Sequence, residues 1–164
     1  KILYIALFFT IFNFANAEEN LKSVGKFKDW ESFVLLKENN KVCFAQSIPI
    51  VRAPKKLKRE PSRLFVSFRP AENIKNEISV TNGYEFKFKS SVTAKSGKKL
   101  YDLFSKGRFA WVVDNEDEAK LISTMKKASR LMITGKTDKG DQTTDHYSMM
   151  GFTKAYNTAK KSCS

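Results

Sequence analysis

The chain has 164 residues, a formal net charge of +13, two cysteines and a single histidine. That length suits one domain with a real core, and one histidine with two cysteines cannot build a typical zinc site. A strongly basic balance directs attention to anionic partners.

Lys1 precedes a run of large apolar residues over 2–14, which ends at Ala15-Asn16-Ala17 and the acidic Glu18-Glu19. A basic start, a short apolar core and a small-x-small site are the three parts of a secretory signal peptide. The run is shorter than the ~20 residues a membrane span needs. The expected organisation is a signal peptide over 1–17, a polar leader over 18–29 and one β domain over 30–164. Lys1 is the only charged residue of the first 17, so cleavage takes the net charge from +13 to +12. The expected location is the periplasm or cell envelope. There the available anions are lipid headgroups, lipopolysaccharide, acidic glycans or a partner protein, not nucleic acid. Two cysteines in an exported chain favour one disulfide.

Residues 30–37 (WESFVLLK) read as a strand, 38–41 as its turn and 42–48 (VCFAQSI) as the return. Both faces of the return strand are apolar, with Cys43 and Ala45 on one and Val42 and Phe44 on the other, so it is expected inside a sheet. Residues 52–63 (RAPKKLKREPSR) break the pattern. Pro54 and Pro61 exclude a helix interior or a central strand, and the segment reads as a solvated loop carrying Arg52, Lys55, Lys56, Lys58, Arg59 and Arg63. A strand over 64–68 follows. Residues 77–88 read as a hairpin with a three-residue loop, Thr81-Asn82-Gly83, which pairs Val80 with Tyr84 and Ile78 with Phe86. Tyr84, Phe86 and Phe88 are then expected in the core.

Residues 92–94 and 99–104 flank a turn at Lys95-Ser96-Gly97-Lys98, and 109–113 (FAWVV) reads as a buried strand. A helix follows, with Asn115 as N-cap, Glu118 as capping-box partner, and Leu121, Ile122, Met125 and Ala128 turned inward. Its acids fall in the first turn and its lysines in the last, as the helix dipole favours. Residues 131–134 and 143–149 form strands around a turn at Asp138-Lys139-Gly140. After Gly151 the spacing of Phe152, Ala155, Tyr156, Ala159 and Cys163 becomes that of one helical stripe. That stripe carries Cys163 inward, and Cys43 shares a strand face with the small Ala45, which leaves room for a helix to approach. The expectation is a Cys43–Cys163 bridge. The fold class is mainly β: an antiparallel sandwich or barrel-like fold of nine or ten strands with two short helices, the C-terminal one packed on the sheet.

Chemistry-bearing motifs are few. His146 follows Asp145 on a strand, so their side chains point to opposite faces. No Cys-x-x-Cys, His-Glu-x-x-His or glycine-rich phosphate loop is present. The acidic run over 114–118 lacks EF-hand spacing and suits a helix start. No cofactor, metal or catalytic residue is assigned.

The order of residues resembles the invasion-associated locus B family, small exported proteins of Gram-negative bacteria. The matching signs are Trp30, Cys43-Phe44-Ala45-Gln46-Ser47, Ile78-Ser79-Val80-Thr81-Asn82-Gly83-Tyr84, Ala110-Trp111, LISTMKK over 121–127, Gly135, Gly140, DHYSMMGFTKA over 145–155 and Cys163. Two departures are the Ala128-Ser129 pair, where a glycine is expected to close the helix, and the lack of further cysteines. The resemblance implies an envelope protein, with a role in host-cell invasion ascribed to pathogenic members, and no motif-defined active site. The expected function is non-enzymatic binding of an anionic envelope or host component through a basic surface. A periplasmic assembly factor using its sheet edge and an envelope hydrolase using His146 are the alternatives.

Overall fold

The computed structural model describes residues 20–37 and 40–164. The expected signal peptide and the Glu38-Asn39 turn lie outside them. The strands are β1 (Asn20–Phe27), β2 (Trp30–Lys37), β3 (Asn40–Ser47), β4 (Val51–Ala53), β5 (Arg63–Arg69) and β6 (Ile74–Thr81). They continue with β7 (Val92–Ser96), β8 (Lys99–Lys106), β9 (Phe109–Trp111), β10 (Arg130–Lys136) and β11 (Gln142–Ser148). Helix α1 (Asn115–Lys127) precedes β10, and α2 (Phe152–Ser162) ends the fold. All the strands join one antiparallel sheet in the order β1-β2-β3-β5-β6-β9-β8-β7-β10-β11-β4. The start of β2 and the end of β11, each one strand in from an edge, come together: the Trp30 indole N–H donates to the Ser148 carbonyl at 2.8 Å, and the Asp29 N–H to that of Met150 at 3.2 Å. The sheet therefore curls around one core.

Strand alternation chooses what lies inside. Trp30 stands opposite Ser47, and Ser32 opposite Ala45. Next across the sheet, Ala45 faces Val66 and Val66 faces Ile78. These residues share the inner face. The small Ser32, Cys43 and Ala45 leave a trough, and α2 lies in it. Ser32 Oγ donates to the Ala155 carbonyl at 2.8 Å, Phe152 meets Trp30 edge-on at 4.8 Å, and Tyr156 meets Phe68 at 5.4 Å. Phe152, Ala155, Tyr156 and Ala159 are all buried, as their spacing predicts. Each large side chain so buried contributes about 1.5–3 kcal/mol. The Cys43–Cys163 disulfide pins the end of α2 to β3, with Cα atoms 5.8 Å apart. Gly151 opens the helix at φ +92°, and a Cβ there would lie 1.8 Å from the Phe27 carbonyl oxygen, so only glycine lets β1 pass.

Several expectations are corrected. The polar stretch read as a leader is an edge strand, β1, paired along β2 from Asn20↔Leu36 to Phe27↔Trp30. The hairpin over 77–88 does not form. β6 pairs with β5 and β9 instead, and the chain after Thr81 leaves the sheet apart from a Phe86↔Thr137 bridge. Gly83 serves as a crossing point and not a turn apex: a Cβ there would lie 1.9 Å from the Glu60 carbonyl oxygen. Phe86 is buried as expected, but Phe88 is 85% exposed. The 109–113 strand is shorter than read, and Phe109 and Val113 are exposed. Asp114, not Asn115, caps α1, accepting the Glu116 and Asp117 N–H groups at 2.8 and 3.0 Å. Glu118 turns away from the cap and accepts the Ile78 N–H of β6 at 2.8 Å. The helix closes on an extended Ala128 without a left-handed residue. The β7–β8 hairpin forms, but its turn is only Gly97-Lys98, because Lys95 and Ser96 pair with Leu100 and Lys99; the β10–β11 pair forms as expected.

The outer face of the sheet is also aromatic. Phe33 stacks on Phe44 at 5.2 Å, Phe44 meets Phe65 at 6.0 Å, and Phe109 stacks on Trp111 at 6.0 Å. Trp111 in turn stands opposite Phe104.

Candidate functional site

Of the basic residues read as one solvated loop, Arg52 lies in β4 and Arg63 in β5, and Lys55, Lys56, Lys58 and Arg59 lie between the two strands. The structure divides them into two groups. Lys55, Lys56 and Lys58 are exposed, and among the described residues none of them makes an ion pair. Arg59 turns inward until its side chain is 2% exposed, and it forms a bidentate pair with Asp145, which is fully buried. The same guanidinium donates to Ser62 Oγ at 2.9 Å and to the Asn82 carbonyl at 2.8 Å, and it sits 5.9 Å from the Tyr84 ring centroid. Arg52 lies on β4 opposite Asp145, and its guanidinium donates to the Arg59 and Glu60 carbonyls. Arg63 is half-buried on β5, opposite Thr81.

The cause of this division is chemical. Asp145 is carried on the inner face of β11 by the same alternation that buries Tyr147, and a buried carboxylate requires a paired cation. Arg59 supplies a planar fork that satisfies both oxygens at once. The Leu57 N–H donates to the Pro54 carbonyl at 3.2 Å and the Glu60 N–H to the Gly83 carbonyl at 3.1 Å. The three lysines are thus held out on a loop that leaves β4 through a turn and is tied at its far end by Glu60 and Arg59. Glu60 reaches the exposed Arg108 at 2.5 Å.

Around the ion pair the interior is polar. The Tyr84 hydroxyl and Thr143 Oγ1 are 2.6 Å apart, and Asn82 Nδ2 donates to Thr143 Oγ1 at 3.3 Å. Burial raises the Tyr84 phenol above its ordinary range. Burial first, and the Asp145 charge second, push the Tyr147 phenol well above its ordinary range against the pull of Arg59, Arg52 and Arg63. Tyr147 is a neutral core residue at any physiological pH. His146 points to the opposite face from Asp145, as strand geometry requires, and stands opposite Met132 and Val51. Asp145 is committed to Arg59, so the neighbouring pair is not an acid–base dyad. Among the described residues no three His, Cys, Asp or Glu side chains converge as they would around a metal ion.

No family model, curated protein or solved structure matches this chain.

A second surface feature lies where no site was expected. The chain over 85–91 and strand β8 enclose a groove of about 710 Å³, lined by Phe86, Phe88, Leu103 and Phe104 with Lys89 and Lys106 at its margin. Phe104 is 58% exposed there. The Lys87-Phe88-Lys89 alternation gives no warning, because it reads equally as a half-buried strand. Among the described residues no helix is long and apolar enough to cross a membrane.

Proposed function

We propose that this is an exported, non-enzymatic envelope protein, akin to the invasion-associated locus B family, that holds an anionic envelope or host component on its basic surface. The observation that supports it most is the separation of charge within residues 52–63. Arg59 is neutralised inside, while Lys55, Lys56 and Lys58 stay in solvent on an anchored loop. Cations presented on a fixed frame lose little freedom on meeting an anion. The disulfide suits the oxidising space outside the cytoplasm. A role as an assembly factor that adds a strand to the sheet edge has less support. The β1 edge carries Lys22 and Lys26 and breaks register between Ser23 and Gly25, which are two ways that edge strands resist pairing.

The test is reversal of Lys55, Lys56 and Lys58 to Glu, with Arg59 left intact because it is structural. Retention on heparin and on anionic vesicles should weaken and become less salt-sensitive. Stability should change by no more than about 0.5 kcal/mol, since all three are exposed. Unchanged retention would return the lysines to a purely solubilising role.

A further inference from the structure

We infer that the Phe88 loop is a membrane-docking element, which inserts a phenylalanine into the headgroup region of an anionic phospholipid bilayer. The inference rests on the basic-surface reading and names its ligand class.

Phe88 is 85% exposed, yet it does not sit on a slack tip. The Phe86 N–H donates to the Gly107 carbonyl at 2.9 Å and the Lys87 N–H to the Lys136 carbonyl at 2.9 Å. The Ser90 N–H and Oγ both return to the Lys87 carbonyl, at 3.0 and 2.8 Å. Lys89 adopts a left-handed φ of +56° to make this turn, a conformation uncommon for a residue with a side chain. The loop is held on both flanks in a shape that aims the ring outward. Phe88 is the most exposed large apolar side chain among the described residues, and it shares its groove with the exposed Phe104, so the two form a patch and not an isolated surface residue.

The surroundings indicate which apolar surface. Lys87 and Lys89 flank the ring in sequence, the Lys89 ammonium lies 5.4 Å from its centroid, and Lys106 lines the same groove. Glu85 is the one acid in that lining. Phe104 offers a second exposed ring beside the first. Two exposed rings in one groove with Lys89 and Lys106 in its lining match the bilayer interface, where the rings enter the acyl boundary and the ammonium groups stay among phosphates. An acidic glycan could meet the lysines, but it has no acyl layer for the rings to enter, which is what the emission of a Phe88→Trp variant reads.

The test uses Phe88→Trp and Phe88→Ala in the full chain, with phosphatidylcholine vesicles prepared with and without phosphatidylglycerol. The added Trp, read as a difference from the parent protein, should shift its emission to shorter wavelength only with the anionic vesicles. Phe88→Ala should lower the affinity for those vesicles about tenfold and leave the melting temperature unchanged. Retention on anionic vesicles without an emission shift would overturn the inference and leave the basic-surface reading standing. Binding to heparin with none to vesicles would do the same and make the ligand an acidic glycan. An equal shift on neutral vesicles would refute the anionic preference. No retention on heparin or on either vesicle would end both readings together.

Discussion

Two segments of this protein treat their residues in opposite ways. Residues 52–63 are dense in charge and draw one arginine completely into the interior. Residues 85–90 alternate phenylalanine with lysine and push one phenylalanine almost wholly into solvent. In both, the local pattern is overruled by what the rest of the fold places nearby. Asp145 arrives on the inner face of β11, the Arg52 guanidinium opposite it is engaged by the Arg59 and Glu60 carbonyls, and Arg59 reaches the carboxylate. Phe88 loses its expected place because the sheet neighbour of β6 is β9, which already covers the positions that a returning hairpin strand would fill. Composition therefore says what a segment can do, and its distant partners say which option is taken.

Both segments lie inside the loop that the Cys43–Cys163 bridge closes, whose ends are 120 residues apart in sequence. Loop closure on this scale contributes about 5 kcal/mol in the chain-entropy picture, which makes reduction the largest expected effect. Reduction should lower the melting temperature, and intact-mass measurement after alkylation should find two new thiols only in reduced protein. Limited trypsin digestion sharpens the comparison. Once reduced, α2 should open first, at Lys160 and Lys161, because a helix that short does not persist without packing. Arg59 should stay protected, since Asp145 holds it and the bridge does not. Simultaneous cleavage at both places would show that the two anchors are one cooperative unit.

Next in size is the ion pair itself. Asp145→Ala strands a buried guanidinium and should destabilise the fold by about 3–5 kcal/mol, with Arg59 becoming open to trypsin. Pairing Asp145→Ala with Arg59→Met should recover much of that loss, because no buried charge remains. A single Asp145→Ala that melts with the parent protein would contradict a structural role for Arg59 and return it to the basic surface.

Much of the fold was legible where one periodicity ran unopposed. The stripe from Phe152 to Cys163 faces the sheet, and the small Ala45 beside Cys43 makes room for it. The helix over 115–127 is placed within a residue of its true cap, since Asp114 and Asn115 are both good caps and only backbone geometry separates them. The Asn82-Gly83 pair is the instructive miss. It has the composition of a hairpin turn, but Gly83 is required by the close approach of Glu60, 23 residues earlier in the chain, and Asn82 is buried among Thr143 and Tyr84. Nothing local encodes those contacts. The polar β1 was missed for a related reason, because an edge strand with mostly exposed residues has little apolar alternation to show. The candidate site was half legible. Its lysines could be read from charge alone, whereas the inward turn of Arg59 and the outward turn of Phe88 depend on pairing across the sheet.

The smallest effect concerns a carboxylate that, unlike Asp145, is placed under cover without a cation. Glu118 is half-buried beside β6. Burial raises its pKa, the Ile78 N–H opposes that rise, and the nearby Glu77 charge adds to it. A carboxyl with a raised folded pKa binds its proton more tightly in the native state than in the unfolded chain. Its contribution is therefore most favourable below the ordinary glutamate range, and it is lost as pH rises from that range through the folded value. Glu118→Gln keeps an acceptor for the Ile78 N–H and removes the ionisation. The melting temperature of the variant relative to the parent should rise with pH across that window and then level off. The gain should be modest, because solvent reaches the carboxylate and screens it. A difference that stays flat with pH would mean that the Ile78 hydrogen bond offsets the burial, and Glu118 would then join Asp145 as a carboxylate fully satisfied by its partners.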